Sequence, residues 1–369
     1  MGAGPRDRSP PMTASADAFA INGRFLDQPV TGVQRYAREV VGTMDRQLAG
    51  GRRRGNLIAP PTRRAMPPLA AIDIRRCGRF AGHAWEQAVL PARWHGPLLN
   101  LCNTAPVVRR AQVVCIHDAN VFRMPDSYGW RFRALYRALQ PVLARRAARI
   151  ATVSHDAAHQ IAEHLPVALR DVEILPNGHE HALRWDAAAA TLFADAPQAR
   201  PFVLLLGSRA RHKNAAMVLG LAGMLDGLGV DLLVAGGDAG IFTEGPSVAA
   251  PNIRCLGKVS DDDLALLFSR ALCLAFPSFT EGFGLPVVEA MALGCPVVSS
   301  DRSSLPEICG GAALLAPPDR PEAWIAHLTA LIGSPALRED LRERGRLQAA
   351  RYSWDRTAQG YFDLCGRLS

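Results

Sequence analysis

Short apolar runs that end in Gly, Asn, Asp or Ser, each followed by an amphipathic stretch, set the rhythm of the chain. In the first half, Phe19–Asn22, Asn56–Ala59, Leu98–Asn103, Val113–His117, Ile150–Ser154 and Val172–Pro176 predict strands. Gly32–Leu48 places Val33, Tyr36, Ala37, Val40, Val41 and Met44 at helical spacing, and Tyr128–Ala148 and Ser154–His164 read likewise. The second half opens with Phe202–Gly207, a continuous apolar run suited to a buried parallel strand. Strands Asp231–Gly236, Ile253–Gly257, Leu272–Pro277 and Pro296–Ser300 follow, among helices Asn214–Leu228, Asp261–Arg270 and Leu285–Leu293. Helices Pro321–Ile332, Pro335–Ala350 and Ser353–Leu368 close the chain. Strand–helix alternation of this kind implies parallel α/β sheets, and no solenoid-type repeat runs through it.

With 369 residues, 49% of them hydrophobic and 21% charged, the chain can bury two cores. The expected division is a disordered Pro/Ser/Gly/Arg-rich tail over residues 1–16, an N-terminal Rossmann-like domain over 17–181 and an Ala-rich linker over 182–200. A second Rossmann-like domain over 201–352 and a terminal helix over 353–369 complete it. The tail has no apolar core and is not a signal peptide; Met12 offers an alternative start. No run of 18 apolar residues exists, so a cytoplasmic protein is expected, with peripheral contact at the inner membrane face.

Charge is uneven. Residues 1–180 hold 25 Arg, no Lys and 14 acids, about +11, whereas residues 181–369 hold 17 Lys plus Arg and 20 acids, about −3. A basic first half suits an acidic substrate or an anionic leaflet, or is simply a set of solvated arginines. No zinc-finger, RNP or basic-zipper pattern accompanies it, and nucleic acid is not expected as a partner. The eight cysteines form no C-x-x-C pair and read as small buried hydrophobes in a reducing compartment.

The segment Ser278-Phe-Thr-Glu281-Gly-Phe-Gly284-Leu-Pro286-Val-Val-Glu289 carries the most chemistry. A strand ends at Pro277, a glycine-rich loop follows, and Pro286 pre-sets the first turn of a helix. Gly282 and Gly284 let the backbone approach a ligand, and the amides around Gly284 and Leu285 form an anion site in an α/β crevice. Glu281 and Glu289 can accept hydrogen bonds from paired sugar hydroxyls. The competing reading is a plain strand–turn–helix with Glu289 complementing the helix dipole. A second strand end, Gly207-Ser-Arg209-Ala-Arg211-His-Lys213-Asn214, brings cations, and Lys213 is one of only two lysines beside Lys258. Asp261-Asp262-Asp263 follows Ser260 and reads as a helix N-terminus rather than a metal site. His83, His155, His159, His164, His179, His181 and His212 form no ligand set and read as surface residues.

Together these segments resemble the retaining glycosyltransferases of family four, which have the GT-B fold. Glu281 and Glu289 stand at the spacing of that family's E-x7-E signature, and Gly207 to Asn214 resembles its G-x5-K-N turn. Val153-Ser154, Pro176-Asn177-Gly178, Ile116-His117-Asp118 and Thr31-Gly32-Val33-Gln34-Arg35-Tyr36 match further motifs in order, from about residue 20 to 360. The resemblance implies two Rossmann-like domains facing a central cleft, an acceptor domain over 17–181 and a nucleotide-sugar domain over 201–352, with the terminal helix over 353–369 packing back towards the N-terminal domain. It implies that Glu281 holds the donor sugar, that Glu289 holds the nucleotide ribose, and that Lys213 neutralises the diphosphate with Arg209 or Arg211. Gly207, Gly282, Phe283, Gly284 and Leu285 would line the donor site, with Gly32 leaving room and His117 near the reacting sugar. Ser208 stands where many members have an arginine.

The resemblance further implies retention of configuration, no cofactor and no bound metal. The expected donor is a nucleotide sugar, GDP-mannose first, with dTDP-rhamnose and UDP-hexose open. The expected acceptor is a glycan or a lipid-diphosphate-linked sugar in surface-polysaccharide or O-antigen synthesis. A non-hydrolysing sugar-nucleotide epimerase and a non-catalytic nucleotide-binding module remain as alternatives, and a PLP-dependent phosphorylase is disfavoured for want of a pocketed lysine.

Overall fold

The computed structural model describes residues 19–51, 54–61, 66, 68–193, 198–207, 210–236 and 250–368, and among these thirteen strands fall into two wholly parallel sheets. The chain divides into two units: one ends at Phe122 and resumes over Trp130–Asn177 and from Trp354, and the other comprises Arg123–Gly129 and Gly178–Ser353.

The strands of the first unit are β1 (Phe19–Asn22), β2 (Gly55–Ala59), β3 (Ile72–Arg76), β4 (Leu98–Asn100), β5 (Gln112–Cys115), β6 (Arg149–Thr152) and β7 (Val172–Ile174). Their order is β3-β2-β1-β4-β5-β6-β7. β1 is an inner strand, with Ile21 paired to Leu57 on one side and Leu99 on the other. Covered on both faces, such strands need continuous apolar sequence, which is why they were legible as runs. The helix Gly32–Leu48 buries Tyr36, Ala37, Val40, Val41 and Met44, the stripe its periodicity foretold. The terminal helix Trp354–Gly366 belongs to this unit. Trp354 lies 5.6 Å from the Tyr36 ring, and the hydroxyls of Tyr36 and Tyr361 share a buried hydrogen bond of 2.9 Å.

A buried polar network in this unit left no sequence signal. Glu86 accepts from Asn22 at 2.7 Å and from Arg24 at 3.0 Å, while Arg24 also reaches Thr104 at 2.8 Å. Burial opposes the Glu86 charge, but hydrogen bonding to His83 and the Arg24 guanidinium hold its carboxyl below the ordinary value.

The strands of the second unit are β8 (Phe202–Leu206), β9 (Asp231–Ala235), β10 (Ile253–Gly257), β11 (Cys273–Phe276), β12 (Val297–Ser300) and β13 (Leu314–Ala316), in the order β10-β9-β8-β11-β12-β13. Val203, Leu205, Leu232, Val234 and Val298 pack with Trp324, Leu328 and Leu341 from the covering helices. The expected continuous helix Asn214–Leu228 is two pieces, Ala215–Leu219 and Ala222–Gly227, interrupted at Gly220, while Asn214 is left-handed with φ 52. All eight cysteines are free; six are buried, Cys77 is half-buried and Cys255 is exposed. No helix among the described residues is long and apolar enough to cross a membrane.

The aspartate cluster has a structural task. Ser260 caps the helix Asp261–Arg270, and Asp263 returns the bond to the Ser260 amide, a reciprocal capping box. The same carboxylate accepts from the amides of Thr191 and Leu192 at 2.8 and 2.9 Å, and Asp262 accepts from that of Asp186 at 2.8 Å. Burial works against ionisation of Asp263, yet the bonds from Ser260, Leu192 and Thr191 hold its pKa down at about 2. Asp263→Ala is expected to lower the stability of the second unit by about 2 kcal/mol, since it removes a cap and strands two amides. A chemical-denaturation midpoint equal to that of the wild type would refute this role.

Candidate functional site

In the second unit the strand order reverses between β8 and β11: successive crossovers run outward to β9 and β10 on one side, and to β12 and β13 on the other. A doubly wound sheet opens a crevice at the carboxyl ends of the two strands flanking such a reversal. The sequence motifs sit there. Gly207 directly follows β8, and its amide donates to the Ala235 carbonyl at 2.8 Å. Ser208 and Arg209 lie outside the described residues. A 3-10 turn, Arg211–Lys213, follows, and left-handed Asn214 closes it. The Asn214 side chain donates to the carbonyls of Pro277 at 3.3 Å and Pro318 at 2.7 Å, tying the turn to the end of β11.

Across the crevice, Lys213 Nζ lies 2.6 Å from Glu281 Oε1, and 5.5 Å from the centre of the Phe276 ring. The structure thus joins two residues that the sequence singled out separately. His212 is buried beside them, 6.2 Å from the Tyr128 ring. Burial first, and the neighbouring Lys213 charge second, push its pKa down.

Two serines that the sequence reading missed hold the glycine-rich loop. Ser303 Oγ donates to the Glu281 carbonyl at 2.9 Å, and Ser304 Oγ to that of Phe283 at 3.0 Å. Gly284 has φ 96, a conformation that calls for glycine, and a Cβ there would also have to displace the end of the Leu305 side chain, 2.8 Å away. It caps the helix Leu285–Ala292, whose first-turn amides begin at the carboxyl end of β11. Phe283 is buried, edge-on to Tyr352 at 5.2 Å.

Glu289 is also buried, and its Oε1 lies 2.8 Å from His181 Nε2. His181 in turn meets Trp185 edge-on at 5.5 Å. The expectation of surface histidines therefore fails at His181 and His212. Each is buried because a specific partner or ring receives it, a signal that spacing along the chain does not carry.

Gly32 and His117 belong to the first unit. Gly32 opens its helix behind Thr31, and a Cβ there would meet nothing within 4 Å, so nothing in the chain itself requires glycine. His117 follows β5, with its Nε2 2.9 Å from the Leu101 carbonyl and its ring edge-on to Tyr36 at 4.8 Å.

Residues 193–348 match the family described as Glycosyl transferases group 1. That segment, less than half of the chain, is similar to this family. The chain is 46% identical over 103 residues to the O-antigen chain mannosyltransferase B of Escherichia coli, a match spanning 28% of this chain and only 27% of the relative's length. It is 25% identical over 261 residues to the O-antigen chain mannosyltransferase RfbU of Salmonella typhimurium, covering 70% of this chain and 69% of that one. Its fold is that of a sucrose-phosphate synthase from Thermosynechococcus elongatus, with TM-score 0.73 at 17% identity over 95% of this chain and 98% of that one. It is also that of WaaG, a glycosyltransferase involved in lipopolysaccharide biosynthesis, with TM-score 0.68 at 15% identity over 94% and 98%.

His117 yields a pH prediction. Burial lowers its pKa from 6.5 to about 4, only partly offset by the Leu101 carbonyl. Between those values the unfolded chain binds a proton that the folded one refuses, so stability is full above pH 6.5 and falls as pH drops towards 4. His117→Gln is expected to flatten that part of the pH–stability profile, read by denaturant unfolding. An undiminished slope in the variant would exclude His117 as its source.

Proposed function

We propose that the protein is a retaining, metal-independent hexosyltransferase. It moves mannose from GDP-mannose to a glycan or lipid-diphosphate-linked acceptor in surface-polysaccharide or O-antigen synthesis. The observation that carries this reading is the Lys213–Glu281 pair at 2.6 Å, set at the switch point between β8 and β11 beside a glycine-capped helix. The two relatives named as O-antigen chain mannosyltransferases support the sugar and the pathway class.

A departing nucleoside diphosphate takes the electron pair of the sugar–oxygen bond and concentrates negative charge. Lys213 and the first-turn amides of Leu285–Ala292 supply fixed positive charge for it, which stabilises the leaving group without a metal. Glu281 accepts hydroxyls of the donor sugar as positive charge develops there, and buried Glu289 accepts those of the ribose.

Glu289→Ala is expected to raise KM for the donor with kcat nearly kept, and Glu281→Ala to lower kcat. Each loses about 1.5–3 kcal/mol, or roughly 10- to 100-fold. Steady-state kinetics with GDP-mannose, UDP-hexoses and dTDP-rhamnose as donors test this, and normal kinetics in both variants would overturn the assignment of the site.

Activity is expected to survive EDTA but to fall sharply in Lys213→Ala, with Lys213→Arg rescuing only part because a planar fork replaces a compact ammonium. Loss on EDTA treatment, restored by magnesium or manganese, would transfer that task to a metal ion.

A further inference from the structure

Glu289 takes its orientation from a residue far from the glycine-rich segment in sequence. Every residue of its helix, Leu285–Ala292, is buried except Pro286, so the carboxylate has no open water to turn to. The 3-10 turn Ala182–Arg184 packs against this helix, and His181 stands at the turn's N-terminal end with φ −65 and ψ −37. Hydrogen bonds tie the backbone down on both sides of it. The His181 carbonyl accepts from the Arg184 amide at 3.1 Å, and the His179 carbonyl from that of Ala182 at 3.0 Å. His179 Nδ1 donates in turn to the Tyr352 carbonyl at 2.6 Å, and the Tyr352 ring meets Phe283 of the glycine-rich loop. The imidazole of His181, edge-on to Trp185, is buried with its Nε2 against Glu289 Oε1.

An ionised carboxylate only accepts, which assigns the hydrogen to Nε2. It can accept about four hydrogen bonds, so the one from His181 fixes its plane without exhausting its capacity. The consequence is selectivity. A buried acceptor held in one orientation rejects an analogue that lacks the matching hydroxyl, because the acceptor is then left unpaired. An acceptor that can swing about its side-chain torsions distinguishes the two far less.

We propose that His181 is a positioning residue that, by holding Glu289, makes the donor site select ribonucleoside diphosphates over their 2′-deoxy counterparts. Deoxythymidine diphosphate sugars, which lack that hydroxyl, are disfavoured as donors. The inference rests on the reading of Glu289 as the ribose ligand, and the two fail in different variants.

The test is isothermal titration calorimetry of the full chain with GDP, UDP and their 2′-deoxy forms, which needs no turnover. The wild type is expected to bind one of the ribonucleotides roughly 10- to 100-fold more tightly than its deoxy form. Glu289→Ala should weaken that ribonucleotide and erase the preference. His181→Phe keeps a ring against Trp185 but removes the donor, and should bring the ribo-to-deoxy ratio close to one. His181→Gln, whose amide can donate from a similar position, should restore most of the preference. In the Glu289→Ala background, His181→Phe should change the ratio no further. Circular dichroism checks folding, and if His181→Phe does not fold, His181→Asn, whose shorter amide falls short of Glu289, carries the same expectation. A histidine that only supported the fold would weaken both nucleotides alike and leave their ratio standing. That result, or a wild type without preference, would overturn the role of His181 while Glu289→Ala still weakened the ribonucleotide. Binding of no nucleotide, or wild-type binding in Glu289→Ala, would remove the ribose reading itself and the proposal with it.

Discussion

The reversal of strand order between β8 and β11 is the constraint on which the second unit depends. A parallel sheet is covered on both faces, so its only places for polar chemistry are the strand ends. The ends of β8 and β11 are neighbours in space yet separated in sequence by two strands and their crossovers. Lys213 and Glu281 can therefore meet at 2.6 Å while lying 68 positions apart. Asn214 makes the junction rigid, because its one side chain satisfies carbonyls after β11 and near the end of β13.

Loop shape follows from the same junction. The turn after β11 must rise from the sheet and enter a helix within a few residues, which forces Gly284 to φ 96. A strained loop of this kind needs anchors, and Ser303 and Ser304 provide them through the carbonyls of Glu281 and Phe283. Ser303 itself adopts φ 57, a conformation that a serine holds only when its surroundings fix it.

Long buried strands and amphipathic helices were legible because burial on two faces or one stripe leaves a periodic trace. β3 was not, since Ile72–Arg76 is a mostly exposed edge strand with two arginines, and neither was three-residue β13. The helical run from Gly82 to Arg93 escaped as well, because it changes from α to π geometry over Trp85–Val89 and carries Pro91. Gly220 broke a helix that composition alone extended to Leu228. At the site, Lys213, Glu281, Gly284 and Glu289 announced themselves through residue type next to a strand end. His181, Ser303 and Ser304 did not, because their significance lies in long-range partners.

The two carboxylates differ in a way that bears on what each can do. Glu289 sits on a helix, 6% exposed at its side chain, against a histidine that is 1% exposed. Freeing it would leave a buried polar group unsatisfied, so it is held in one place, as suits a group that binds the same atoms throughout a reaction. Glu281 sits on a loop, and its partner Lys213 is 27% exposed at its side chain. Such a pair is partly solvated and can exchange partners at modest expense. A diphosphate entering beside Lys213 would compete for the ammonium and turn the Glu281 carboxylate towards sugar hydroxyls. In the proposed reaction, the contact that neutralises both residues without ligand would thus keep a lysine and a glutamate poised where charge separates between leaving group and sugar.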